Sequence, residues 1–281
     1  MRLSLLAVFI LFSGCHTKPS TLTFPGPIST KAWLPQSSNA TGGATPVLLY
    51  VPSWNGSPTE NNFLFQYLAH QGFTVLSLDH SATDLPPLDF KSPSALQSFH
   101  HAASQQLASQ SDTVIHLLDA LQADPRFKGR PVGVFGFSFG GAVAAESLRR
   151  DPRLKAGANL DGTLFGQAAK EGALQPFLFL TDFEPMPTEA ALHSPDEPAR
   201  LAAEFSATGL RDMEHWLKTR GGVLIQFPDV QHQSFCDEGL RLKGGEKTLT
   251  QIAACLTAFF NETLKGEKSP AWPAVSIHRF P

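Results

Sequence analysis

Cysteine is scarce in this chain: there are three in 281 residues. That excludes a fold held together by a disulfide framework. Charge is scarce too. Asp, Glu, Lys and Arg make up 17% of the residues, against about a quarter in an average protein. The net charge is −3 and the pI is near 6.4, so the basic footprint of a nucleic-acid binder is missing. After the first fifteen residues no apolar run reaches the length of a membrane span. There is no P-loop, no dinucleotide fingerprint and no internal repeat. What is present is an ordinary 42% of hydrophobic residues, which rules out wholesale disorder. A chain of this length buries a sizeable core without staples. Gly and Pro, 22 each, imply many turns.

The first fifteen residues run from Met1-Arg2 through an apolar stretch to Ser13-Gly14-Cys15. One positive charge, about ten apolar residues and then small residues form a secretory signal, too short to span a bilayer. Ser13-Gly14-Cys15 resembles a bacterial lipobox. The expectation is cleavage after residue 14 and lipidation of Cys15, which anchors the protein at a membrane surface in the periplasm or outside the cell. Residues 15–45 are rich in Ser, Thr, Pro and Gly without apolar periodicity and read as a linker. Residues 266–281 carry three prolines and read as an irregular tail.

From residue 46 to 265, short apolar runs alternate with helical patterns. Expected strands are 47–51, 73–78, 132–136, 156–160, 176–180 and 223–227. Expected helices cover 60–71, 95–123, 139–150 and 247–260, the last with Leu249, Ile252, Leu256, Phe259 and Phe260 on one face. Strands that are apolar throughout, separated by helices, imply a mostly parallel sheet covered on both sides, a doubly wound α/β fold of one domain. The mixed helical stretch 183–220 reads as a small insertion able to cap a site. In such a sheet ligands bind beyond the carboxyl ends of the strands, so chemistry is sought just after each strand.

After the third of these strands stands Gly136-Phe137-Ser138-Phe139-Gly140, a G-x-S-x-G motif between a buried strand and an Ala-rich helix. That is the context of a nucleophile elbow in an α/β-hydrolase fold. A serine hydroxyl needs a base. Of the histidines that follow Ser138, only His232 occupies a loop just after a late strand; His193 and His215 fall in the insertion and His278 in the tail. The third member, a carboxylate that orients the imidazole, has two candidates: Asp161, directly after the fourth strand, and Asp182, following the fifth. Cys236 lies four residues after His232, and Cys255 shares the apolar face of the last helix. In an exported protein the two are expected to form a disulfide that pins the His232 loop to that helix. His100, His101 and His116 lack supporting ligands at metal-site spacing and read as solvated helix residues. Asn-x-Ser/Thr sites occur at Asn39, Asn55 and Asn261 and carry no weight behind a bacterial lipobox.

Three segments together resemble the platelet-activating-factor acetylhydrolase family of α/β-hydrolases: Gly-Phe-Ser-Phe-Gly-Gly-Ala around Ser138, Asn159-Leu160-Asp161-Gly162-Thr163, and Val230-Gln231-His232-Gln233-Ser234-Phe235. The likeness spans roughly residues 46–262. It implies that Asp161 is the acid, while polyester-hydrolase and cutinase-like relatives place the acid where Asp182 stands. It implies an oxyanion hole made by the Phe139 N–H and by an N–H after the first strand, by position that of Trp54; Pro52-Ser53-Trp54-Asn55-Gly56 stands there in place of the family's His-Gly-x-Gly. The expected activity is cleavage of carboxylic esters with short acyl groups, including phospholipid-like ones, without metal or organic cofactor and without nucleic acid. The competing expectations are a catalytically silent surface lipoprotein, a polyester hydrolase and an acyltransferase.

Overall fold

A computed structural model describes residues 19–24, 28–35, 45–79, 85–268 and 270–281. The signal segment and Cys15 lie outside the described residues. Among the described residues nine strands form one sheet: β1 (Ser20–Thr23), β2 (Ser29–Trp33), β3 (Val47–Val51), β4 (Thr74–Leu78), β5 (Val132–Phe137), β6 (Leu154–Leu160), β7 (Phe177–Asp182), β8 (Gly222–Phe227) and β9 (Ile277–Phe280). Their order is β1-β2-β4-β3-β5-β6-β7-β8-β9. The strands from β3 to β8 pair in parallel; β2 joins one side and β9 the other by antiparallel pairing, with β1 antiparallel outside β2.

The six parallel strands are those expected from their unbroken apolar runs, and the reason is visible in the core. Along β3, Val47, Leu49 and Val51 face one layer of side chains while Leu48 and Tyr50 face the other. All five are fully buried. A strand covered on both faces has no polar side, so its sequence does not alternate. One layer is built by α2 (Pro93–Ala123), α3 (Phe139–Arg150) and α6 (Glu197–Arg220). The other comes from α1 (Asn62–His70) and α7 (Gly245–Leu264). The apolar face of α7 is buried as its spacing predicts, at about 1.5–3 kcal/mol for each large side chain removed from water. Helix starts follow local chemistry. Ser92 caps α2 by accepting the Ala95 N–H at 3.2 Å, with Pro93 in the first turn. Asp196 caps α6 in the same way.

The helical stretch near 183–220 comprises α5 (Glu189–Leu192) and α6. The C-terminal half of α6 seats Trp216 against Phe177, 4.6 Å between ring centroids, and against Phe179. Its N-terminal half brings Phe205 to Phe99 and Phe165 beside the carboxyl ends of the strands. A single-turn helix, α4 (Ala168–Glu171), precedes β7. Among the described residues no helix is long and apolar enough to cross a membrane.

Two readings require correction. Residues 15–45 are not simply a linker, because β1 and β2 lie within them as an antiparallel pair that joins the sheet at β4. Likewise the tail 266–281 ends in β9, paired with β8. These strands sit at the margins of the sheet. Ser20–Thr23 is mostly exposed, and β2 buries only Thr30, Ala32 and Trp33. Backbone pairing rather than an apolar run holds them, so their sequences carry little hydrophobic signal.

Candidate active site

The candidate residues lie at the carboxyl ends of β3, β5, β6 and β8. Ser138 stands between β5 and α3 with φ +54° and ψ −124°. A side-chain-bearing residue in that region is strained, and such strain concentrates at functional positions. The chain holds it there. The Ser138 N–H donates to the Leu160 carbonyl at 2.8 Å, and the Ser138 carbonyl accepts the Gly141 N–H at 2.9 Å. The glycines of the motif are required by packing. A Cβ on Gly136 would run into the Gly140 carbonyl, and one on Gly140 into the Val51 carbonyl. The turn is therefore pressed against both its own helix and the end of β3.

His232 opens a short 3-10 helix, His232–Phe235, after β8. Its Nε2 is 3.0 Å from Ser138 Oγ and its Nδ1 is 2.7 Å from Asp161 Oδ2. The Phe137 ring lies 4.7 Å from the imidazole, centroid to centroid, and flanks it. Asp161 follows β6, also at positive φ, +54°. Its other oxygen, Oδ1, accepts the Thr181 hydroxyl and the Asp182 N–H, both at 2.9 Å. The carboxylate is thus fixed on both oxygens. The turn beneath it is tied by Asn159, whose amide accepts the Gly162 N–H and donates to the Gly162 carbonyl, each at 2.7 Å.

Ser138, His232 and Asp161 are therefore brought together in one hydrogen-bonded line. Asp182 is adjacent but supplies its backbone N–H to Asp161, while the imidazole Nδ1 faces Asp161. Burial, and next the charge of Asp161, push the Asp182 carboxyl up to about 6.

The backbone N–H groups of Trp54 and Phe139 find no acceptor among the described residues. The Trp54 ring packs at 4.7 Å on Phe139 and 5.1 Å on Phe99, and its indole N–H donates to the Pro86 carbonyl. Beside Ser138 opens a pocket of about 410 Å³, walled by Trp54, Phe137, Glu60, Cys236 and Arg241.

The expected bridge between Cys236 and Cys255 is absent. Both cysteines are buried free thiols. Cys236 Sγ turns back onto the Gln233 carbonyl at 3.5 Å, and burial pushes the Cys236 thiol up to about 11 and the Cys255 thiol up to about 12. The two share one apolar layer without bonding to each other. His100, His101 and His116 are exposed on α2, and no group of metal-binding side chains occurs among the described residues. Sequence reading missed Asn159 and Glu60. A strand-end Asn two residues before an Asp-Gly turn is the one signal that pointed to the former.

Residues 31–176 match the Dienelactone hydrolase family. The chain belongs to that family. Its matched region contains β3 to β6, Ser138 and Asp161, while His232 lies beyond it. The chain is also 31% identical over 139 residues to a probable 1-alkyl-2-acetylglycerophosphocholine esterase of Arthroderma benhamiae. The alignment covers 45% of this chain and 34% of that relative, so it spans about a third of the relative's length. The acetylhydrolase resemblance read from the sequence has this counterpart. Two solved structures share the fold. A ferulic acid esterase from Streptomyces cinnamoneus superimposes with a TM-score of 0.61 at 19% identity, covering 90% of this chain and 89% of that one. A dienelactone hydrolase from Anabaena variabilis gives 0.59 at 17% identity, covering 88% and 100%. This member of the dienelactone hydrolase family therefore carries the α/β-hydrolase fold over nearly its whole length.

Proposed function

We propose that the protein is a serine hydrolase of carboxylic esters working through an acyl-enzyme. The observation that carries this reading is the line Ser138 Oγ–His232 Nε2 at 3.0 Å and His232 Nδ1–Asp161 Oδ2 at 2.7 Å. In this reading His232 Nε2 takes the Ser138 proton as Oγ attacks the ester carbonyl. The Asp161 carboxylate holds the Nδ1–H tautomer and offsets the imidazolium charge. The Trp54 and Phe139 N–H groups receive the developing oxyanion, aided by the positive end of α3. His232 then passes its proton to the leaving alcohol. Water, activated by the same imidazole, attacks the acyl-enzyme and frees the acid and Ser138.

The acetylglycerophosphocholine esterase relative supports short acyl groups on a lipid-like alcohol as the substrate class. The Ser13-Gly14-Cys15 segment supports export and lipid anchoring through Cys15 at a membrane surface. A fluorophosphonate probe should label the folded protein at Ser138, and Ser138→Ala should abolish the label; an unlabelled wild type refutes the hydrolase reading. Across nitrophenyl esters of rising chain length, hydrolysis should concentrate on acetyl and butyryl esters. A preference for long chains would overturn the short-acyl assignment.

A further inference from the structure

We propose that Glu60 is a positioning residue that sets the direction of the Trp54 N–H; this inference rests on the ester-hydrolase reading of the site. Glu60 is half-buried, just before α1, in the wall of the Ser138 pocket. Three donors converge on its carboxylate. Oε1 accepts the Tyr50 hydroxyl at 2.6 Å and the Ser53 N–H at 2.7 Å, and Oε2 accepts the Ser53 hydroxyl at 2.7 Å. Tyr50 is itself fully buried on β3, and its hydroxyl also accepts the Asn61 side-chain amide at 2.9 Å.

Ser53 is the residue before Trp54, and Glu60 holds it at both its amide and its hydroxyl. The next peptide is fixed from the far side, because the Ser53 carbonyl accepts the Gly56 N–H at 2.8 Å. In a trans peptide the N–H points opposite the carbonyl. Fixing the Ser53 carbonyl therefore fixes where the Trp54 N–H points. The loop folds tightly around the carboxylate: a Cβ on Gly56 would collide with Glu60 Oε2, and would lie 2.5 Å from Ser53 Oγ. An oxyanion donor acts only when it is aimed in advance at the position the charge will take. The geometry gives that aim to Glu60, whose carboxylate oxygens are taken up by Tyr50 and Ser53.

The same residue meets the histidine loop through its backbone. The Glu60 carbonyl accepts the Asp237 N–H at 2.9 Å, and Asp237 Oδ1 accepts the Phe63 N–H at 3.1 Å. Replacing the Glu60 side chain leaves the backbone bond in place, so its effect falls on the Trp54 loop rather than on His232.

The test compares wild type, Glu60→Leu and Glu60→Gln with p-nitrophenyl acetate, counting active sites by fluorophosphonate titration. Glu60→Leu should lower kcat per titrated site about 10²-fold, with KM within about threefold. Glu60→Gln should recover to within about fivefold of wild type, since its amide oxygen accepts from Tyr50 and Ser53 N–H while its NH₂ donates to Ser53 Oγ. Amide hydrogen exchange of residues 53–57 supplies a readout independent of turnover: faster in Glu60→Leu, near wild type in Glu60→Gln. If Glu60→Leu does not fold, Ser53→Ala takes its place, with a smaller fall in kcat and faster exchange. The proposal is overturned if Glu60→Leu keeps kcat within twofold, if Glu60→Gln falls as far as Glu60→Leu, or if exchange of the loop is unchanged. A wild type that hydrolyses no ester defeats the hydrolase reading alone, and the exchange result still decides the clamp.

Discussion

Replacing Asp161 with Asn isolates the tautomer of His232. Asp161 Oδ1 is bound by two donors, the Thr181 hydroxyl and the Asp182 N–H, and the backbone donor cannot reverse its role. In Asp161→Asn the carbonyl oxygen of the new amide must therefore stay on that side, and its NH₂ must face His232 Nδ1 at the present 2.7 Å contact. An NH₂ there donates to Nδ1, so the ring carries its proton on Nε2 instead. That proton points at Ser138 Oγ, 3.0 Å away, and the ring no longer accepts from it. A triad held in the wrong tautomer loses about 10⁴-fold in kcat, roughly 5.5 kcal/mol of barrier. Because the bonds on Oδ1 persist, thermal stability should move by less than about 3 °C. The assay is steady-state hydrolysis of p-nitrophenyl acetate with a melting curve for each variant, beside Asp182→Asn, which should keep activity within a few-fold. Retention of more than about one hundredth of wild-type kcat by Asp161→Asn, or an equal loss in Asp182→Asn, refutes the argument.

Further outcomes follow from the packing and the buried acids. Alkylation after denaturation without reductant, read by peptide mass, should modify both Cys236 and Cys255; a cross-linked peptide pair would contradict the free thiols. Gly140→Ala should fail to fold or lose more than about 3 kcal/mol, because its methyl group meets the backbone of Val51 and Pro52 rather than a yielding side chain; a melting temperature within a few degrees of wild type would show that the elbow can give. Burial pushes the Asp237 carboxyl up to about 6 against the hydrogen bonds from the Phe63 and Asn62 N–H groups. The folded form thus holds that proton more tightly than the unfolded chain, so its stabilising contribution is complete below the ordinary aspartate range and is lost as pH rises through 6. Asp237→Asn keeps an acceptor for Phe63 and should melt higher than wild type at pH 7.5 but not at pH 4; equal melting at both would refute the sign.

What could be read from the sequence follows the division between interior and margin. The six parallel strands declare themselves because both faces are buried, and Ser138 because a glycine-flanked serine between such a strand and a helix has few other uses. His232 could be singled out by its place after β8. The choice between Asp161 and Asp182 could not be made on position, since each follows a strand; it rests on which side chain reaches the imidazole. The edge strands escaped because Ser, Thr and Lys in β1 and β2 pair through backbone. The cysteine bridge is expected from export and from the places of Cys236 after His232 and Cys255 on the last helix, but the Cys236 thiol is turned toward Gln233. Glu60 was invisible because its partners, Tyr50 and Ser53, give it meaning only once β3 and α1 are folded together.

Under the proposal of a lipid anchor at Cys15, the position of β1 limits how far the protein can stray from it. A flexible leash from Cys15 to β3 would let the catalytic domain roam about 100 Å from a lipid surface, at 3.3–3.6 Å per residue. With β1 beginning at Ser20 and locked into the sheet through β2, only the stretch from Cys15 to Ser20 remains as tether. Fully extended it reaches about 17 Å. Under the lipid-anchor proposal, the enzyme is moored by one flank of its sheet and works within the headgroup layer's immediate neighbourhood rather than sampling the surrounding fluid.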